Sequence, residues 1–344
     1  MIKATSKLLI NEEEVHYTQA SLNQRGGSSA TELNFVVPFG ESHYRKYWNQ
    51  EVTVYFQEGD GAPSFRGRII SSTTNGDSSV QFKALDIIGY LTGNQAAKVV
   101  LDENNNIDGL TAGASIVKMI ELANLTDIVG VDYIGDTVPL IKNQSPRGTI
   151  VILDEIKSYL KDSVDLTNEE LPRQNILVVK DDGIKSQLRL ESRADIDNEI
   201  PVKKYSYDQN MVSFGVVERH MPTTIVVSGK NTQAKFRHSS AATAQGENFL
   251  TLTNNTLTSK ADCMDFAQKI FRANSQAKYE YTLITFEGIY LQENDVIHIN
   301  DKETGIQGNF RIIGKVVTFS PTAFSLRLTI NKRPPILSEF FRNN

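Results

Sequence analysis

The stretch "ENDVIHINDKETGIQGNFRIIGKV", Glu293 to Val316, and the stretch "NQEVTVYFQEGDGAPSFRGRIISS", Asn49 to Ser72, carry one plan near opposite ends of the chain. Each has a run of β-branched and aromatic residues, a polar glycine-containing turn, and a second such run. Runs of this kind bounded by Gly, Pro, Asn and Asp read as paired strands. Alternation puts Phe65, Gly67 and Ile69 on a core-facing side of the early return strand, with Arg66 and Arg68 toward water. Laying Glu51-Val52 on Asp295-Val296 and Phe65-Arg66 on Phe310-Arg311 makes the two stretches candidates for an internal duplication, with Phe65 and Phe310 as matched core anchors.

Outward from the early stretch, "SSVQFKALD" follows across "TTNGD", where Asn75-Gly76 suits the positive φ angles of a tight hairpin turn. Asp86 ends that hairpin and caps the short helix "IIGYL" by accepting a free helix-start amide. The polar "LDENNNIDG" reads as a linker, which sets the end of a first domain near residue 95. From 96 to 200 the period changes: Ile116, Met119, Ile120 and Ala123 make one helical stripe, and Leu153, Ile156 and Leu160 another. A hairpin turned at Asp181-Asp182-Gly183 completes a small α+β middle domain. From 201 to 344 strands return, interrupted by "RHSSAATAQGEN", which reads as a loop, and by a helix over 259–274 with Ser259 and Asp262 at its start. Four closely spaced strands then point to an antiparallel barrel or sandwich.

The 344 residues carry 36 basic against 41 acidic side chains, a net charge of -5, which gives no basic footprint for tight DNA binding. The one cysteine, Cys263, lies on the apolar face of its helix and reads as a small core residue. A single thiol forms no internal disulfide, so folding in a reducing cytosol is expected. There is no signal-peptide core, and no apolar run long enough to span a bilayer, so no membrane contact is expected.

Constellations for chemistry are weak. The five histidines are scattered without the i, i+4 spacing of a shared zinc, and His298 reads as an outward strand residue. "DENNNID" from Asp102 resembles a calcium loop at its first positions but has Ile107 where that loop turns on glycine and Gly113 in place of the bidentate glutamate. No nucleophile elbow or phosphate-binding loop is present, and acid pairs such as Asp154 with Glu155 point apart on a helix. No enzyme, no cofactor and no metal are expected. "HYRKYW", His43 to Trp48, is the one aromatic cluster suited to a sugar, and its alternative is a loop packed on the barrel.

Four stretches together resemble the baseplate hub proteins of phage tails, including the late control protein D family and the T4-type hub. They are "FRGRIIS" with "VQFKALDIIGYL", "GTIVILDEIKSYL" with "ILVVKDDG" and "LRLES", "TSKADCMDFAQKIFRAN", and "GIYLQENDVIHINDKETGIQGNFRIIGKVVTFS". The family's usual glycine before Asp295 is Asn294 here, and its frequent histidine after the return strand is Phe319 or Ser320. The resemblance implies a β-rich α+β, multidomain chain in which two similar, tail-tube-like antiparallel β-barrels flank the middle domain. It implies a structural homotrimer that sits on the tail tube or distal tail protein ring, holds the central spike and meets the tape-measure protein. DNA would pass through its lumen without specific binding, in a virion tail assembled in the host cytoplasm. The same architecture serves the hub of a contractile secretion machine, and a carbohydrate-binding or muralytic tail protein is the alternative from another class. The tail "PPILSEFF" is apolar enough to dock on a partner or to strap its own barrel.

Overall fold

The computed structural model describes residues 6–25, 29–38, 47–56, 63–77, 79–91, 97–102, 107, 109–134, 148–162, 174–193, 199–218, 221–255, 257–276 and 279–331. The chain opens with β1 (Ser6–Ile10), β2 (Glu13–Glu14), β3 (Gln19–Arg25), β4 (Glu32–Val37), β5 (Glu51–Phe56), β6 (Phe65–Thr74) and β7 (Val80–Leu85). The last part holds β13 (Lys203–Ser206), β14 (Ser213–Glu218), β18 (Tyr279–Thr285), β19 (Val296–Asp301), β20 (Ile306–Ser320) and β21 (Ala323–Asn331). All of these belong to one 13-stranded sheet.

Strand order is the same in both parts. The first runs β1-β5-β6-β7-β4-β3 and the last β13-β19-β20-β21-β18-β14, so strands of equal rank along the chain take equal places in the sheet. They differ in that β1 lies antiparallel to β5 whereas β13 lies parallel to β19. The long strand of each is bulged at the same point, between Ile69 and Ser71 in β6 and between Ile312 and Gly314 in β20. A bulge bends its strand and raises the local twist. Among the described strands neither part closes into the expected barrel, because β3, an edge of the first part, pairs with β20 of the last and merges the two sheets. Their alternating apolar residues, from Leu8 and Phe35 to Phe310 and Leu328, form one continuous core.

The hairpin after β6 departs from expectation. Neither Asn75 nor Gly76 has a positive φ. The loop is longer than a two-residue turn, and Asp77 shapes it by accepting from the Ser79 amide at 2.9 Å and the Ser79 hydroxyl at 2.6 Å.

The middle region has α1 (Ile87–Leu91), β8 (Lys98–Leu101), α2 (Ala112–Leu122), β9 (Val129–Tyr133), β10 (Gly148–Val151), α3 (Ile152–Asp162), β11 (Gln174–Asp181) and β12 (Ser186–Arg193). β8 pairs with β10, and β11, β12 and β9 form a small sheet with β9 parallel to β12. The residues of α1, read with the first domain in the sequence, pack into this second core through Ile87, Ile88 and Leu91. Thr111 caps α2 by accepting from the Ala114 amide at 3.2 Å.

A third core lies between β14 and β18. It joins β15 (Thr224–Gly229), β16 (Thr232–Arg237), α4 (Ser239–Gln245), β17 (Phe249–Thr253) and α5 (Lys260–Gln276) around Ile225, Val227, Cys263 and Ile270. The segment read as a loop contains α4: its alanines favour helix, and His238 caps it, accepting from the Ala241 amide at 3.3 Å and stacking on Phe271. Ser259 accepts from the Asp262 amide at 3.1 Å at the start of α5.

Candidate functional site: repeated latches around a sheet joint

The two long strands present their shared bulge in one setting. Asn49 and Asn294 both have positive φ, 60° and 75°, a conformation asparagine tolerates better than most side chains. In the first part the Asn49 amide donates to Ile69 O and the Ile69 amide to Gln50 O, and in the last the Asn294 amide donates to Ile312 O and the Ile312 amide to Asp295 O. Arg68 then donates to Asn49 O at 3.2 Å, and Arg311 to Asn294 O at 2.8 Å. The matching residues are therefore Asn49-Gln50 with Asn294-Asp295 and Arg68-Ile69-Ile70 with Arg311-Ile312-Ile313. This corrects the sequence alignment by one residue before the turn and by two after it. The bulge and the polar turn hide the shift, and the repeated "RII" in the sequence is the signal that could have located it.

The expected residues fall around these latches. Phe310 is fully buried against Tyr281, ring centroids 4.9 Å apart at 72°. Gly67 holds the place of Phe310 in β6, and a Cβ there would lie 2.5 Å from the Phe65 ring and closer still to Leu85 O. Phe65 thus fills, from two residues away on the same face, the room that Gly67 leaves. Asp86 Oδ2 accepts from the Thr31 amide at 2.9 Å and its Oδ1 from the Gly89 amide at 3.2 Å, tying β3–β4 to α1. Burial pushes its carboxyl up to about 6 against those bonds. Asp295 Oδ2 accepts from the Gln292 amide at 2.8 Å, and burial raises its carboxyl as well.

The second latch is buried. Arg311, only 2% exposed, also donates to Glu199 Oε1 at 2.6 Å, and Asn294 Nδ2 donates to Glu191 Oε2 at 2.7 Å, which fixes β12 to the last part. Lys315 donates to Leu291 O at 2.6 Å and to Ile289 O, while burial holds its ammonium down at about 8. Arg66, expected on a wet face, is instead covered by the β11–β12 hairpin: its Nε meets Asp181 Oδ2 at 2.6 Å and its Nη1 meets Glu51 Oε1 at 2.7 Å. A cleft of about 70 Å³ lies between these groups, lined by Thr31, Arg66, Asp86, Asp181, Gln292 and Lys315. Its walls are structural cations and acids already engaged with backbone or with one another, and it has room for a few waters.

β20 and β3 form the joint between the parts, with Gly314, Val316 and Val317 opposite Arg25, Asn23 and Leu22. Leu22 and Val317 are 2% and 0% exposed at its centre. Phe319 sends its ring into the first part, edge-on to Phe56 at 4.9 Å and to Tyr17 at 5.8 Å. On the opposite face of the sheet the row Thr318, Ser21, Asn34, Lys83 crosses the joint, beside Asn23 and Glu32. Lys83 there pairs with Glu32 at 2.6 Å, and Arg25 and Arg327 lie exposed on the same face, opposite Gly314 and Val316 of β20, so the face is hydroxyl- and amide-rich along the row and carries cations beside it.

Among the described residues no group of three or more His, Cys, Asp or Glu is arranged to hold a metal ion. No helix among them is long and apolar enough to cross a membrane. His298 shares a hydrogen bond with Asn309 at 2.9 Å, and Cys263 is buried. Most of the calcium-like "DENNNID", most of the "HYRKYW" cluster and the apolar C-terminal tail lie outside the described residues.

No family model matches the chain, and no curated protein matches it in sequence. Its fold, by contrast, is that of known tail proteins. A tail protein from Neisseria meningitidis MC58 superposes with a TM-score of 0.64 at 13% identity, over 95% of this chain and 96% of that one. The 43 kDa tail protein of prophage MuSo2 from Shewanella oneidensis gives 0.65 at 11%, over 96% and 99%. A component of the E. coli type VI secretion system, itself similar in structure to the T4 bacteriophage tail proteins gp27 and gp5, gives 0.53 at 8%, over 97% and 78%. The chain therefore has a fold shared by phage tail proteins and a component of a secretion machine.

Proposed function

We propose that the chain is the structural hub of a phage tail baseplate, a homotrimer that joins the sixfold tail tube to a central spike. The observation that carries this reading is that one chain holds two parts of equal strand order, each with the same asparagine–arginine latch, joined edge to edge. Three such chains present six near-equivalent parts, which is how a threefold body meets a sixfold ring. The uncharged row of Thr318, Ser21 and Asn34 across the joint, with Lys83 neutralised by Glu32, favours the wall of a channel that DNA traverses without being held, and Arg25 and Arg327 are the cations that flank it. The role is architectural, with no catalytic step, cofactor or metal. Its partners are the tube or distal tail ring, the spike and the tape-measure protein, in the virion tail after synthesis in the host cytoplasm.

Light scattering of the purified chain, alone and with its neighbouring tail proteins, is expected to give the mass of three chains, and electron micrographs a ring with a central hole. A monomer under every condition overturns the reading. Fold similarity to a secretion-system component favours a second reading, the hub of a contractile injection machine, which predicts the same trimer on a different tube. For a sugar-binding role the described support is Trp48, half-exposed beside the Tyr47 that packs on Phe82. Binding of the isolated chain on a glycan array would favour it.

A further inference from the structure

The internal joint has an unfilled counterpart on the surface. With Ile312 matched to Ile69 by the latches and bulges, Val316 and Val317 of β20 correspond to Thr73 and Thr74 of β6. Walking across the sheet through β21 and β18 on one side and β7 and β4 on the other, Leu22 and Asn23 of β3 correspond to Val216 and Val217 of β14. In the internal joint Val317 faces Leu22 and Val316 faces Asn23. The corresponding segments face nothing within the described chain: β5 pairs with β6 only as far as Arg68, with Gln50 reaching Ile69, and no described strand lies on the outer side of β14. Leu22 and Val317 are sealed, whereas Val216 and Val217 are 43% and 55% exposed and Thr73 and Thr74 lie open. A β-branched edge with neither lysine nor proline to blunt it is a template for another strand.

We infer that the outer edge of β14 in one copy of this chain pairs antiparallel with the far half of β6 in a second copy, with Val216 opposite Thr74 and Val217 opposite Thr73. The contact repeats between chains the joint that β3 and β20 make within one. It is heterologous, a head-to-tail contact, so it closes a ring of three when the rotation per chain is one third of a turn, a ring of another size at another whole fraction, and runs on as a fibre when the rotation does not close. The partner named here rests on the threefold hub reading for the number of copies, but the pairing itself rests only on the two matched edges.

The test is a Val216→Cys, Thr74→Cys double variant of the full chain in a Cys263→Ala background. Directly opposed residues of antiparallel strands hold their Cβ atoms about 5 Å apart, within the span of a short thiol cross-linker. Expected are covalent dimers and trimers from the double variant, none from either single variant, and dimers only when the two single variants are mixed. A ladder that stops at three supports both the joint and the threefold hub. A ladder that continues past three keeps the joint and sinks the threefold count. Trimers in solution whose cysteines do not cross-link overturn the joint alone, and a monomer with uncross-linked cysteines overturns both. Val216→Lys provides a check that does not depend on cysteine geometry: it is expected to dissociate the assembly with the melt of the folded chain unchanged, whereas Ile184→Lys, at a position 82% exposed on the β11–β12 turn, leaves the assembly intact. Equal association of the two lysine variants also overturns the joint.

Discussion

Asp86 is a carboxyl placed where its charge is unwelcome. Two backbone amides hold it, yet burial carries its pKa from 3.8 to about 6, so the folded chain binds its proton more tightly than the unfolded chain does. Stability from this group is therefore full below the unfolded value, and it is lost as the pH rises through the folded one. A tenfold difference in proton affinity is worth about 1.4 kcal/mol, so the wild type should lose up to about 3 kcal/mol between pH 4 and pH 7 relative to Asp86→Asn, which does not titrate. Urea titrations of both proteins across that range measure it, and a constant difference would refute the assignment. Two apolar predictions sit beside it. Phe310→Ala empties a fully buried site and should cost about 3–5 kcal/mol, so an unchanged melt removes it as a core anchor. Gly67→Ala sets a methyl against Leu85 O and the Phe65 ring and should cost about 1–3 kcal/mol in the same assay.

Among the strands and helices, the two latches are one device in two environments. Arg68 reaches Asn49 O from a half-exposed position, while Arg311 reaches Asn294 O and Glu199 from within the core. Arg311→Ala should thus cost about 1.5–3 kcal/mol, the range for hydrogen bonds to charged groups, and Arg68→Ala well under that. Chemical denaturation of the pair checks it, and equal costs would mean that burial does not separate the two latches. Alternation made the paired strands legible in the sequence, and the 3.6-residue stripe of Ile116, Met119 and Ile120 did the same for α2, because one-sided burial imposes those periods directly. Asp86 was legible because a helix start needs an acceptor. Other features were not, since they depend on chain segments far apart. The β3–β20 joint is one, and the cover that Asp181 places on Arg66 is another. The register of the repeat was half-legible: the repeated "RII" carries it, but the matching Phe-Arg pairs compete with it and the bulges decide between them.

Across the full chain and its assembly, the joint decides what the sheet's polar face can be. Ser21, Asn23, Asn34 and Thr318 lie on neighbouring strands across the seam, so in the proposed ring three copies joined through equivalent seams would carry this face around a common axis. A channel wall for DNA must avoid neutralising phosphates, because each cation that does so releases counterions and adds salt-sensitive affinity. The triple variant Asn23→Lys, Asn34→Lys, Thr318→Lys leaves the apolar core untouched and would add nine charges to the channel of the proposed trimer. It should keep the wild-type melt and mass yet retard linear duplex DNA at low salt. The retention should fall steeply with added salt, with a log–log slope of about 0.9 per phosphate contacted. The wild-type protein should not retard DNA under the same conditions. Placing three lysines on the exposed β14 edge instead should break the assembly rather than create retention of this kind. If the face variant stays trimeric and gains no affinity for DNA, that face lies away from any channel, and the orientation of the sheet in the ring is the reverse of the one argued from the joint.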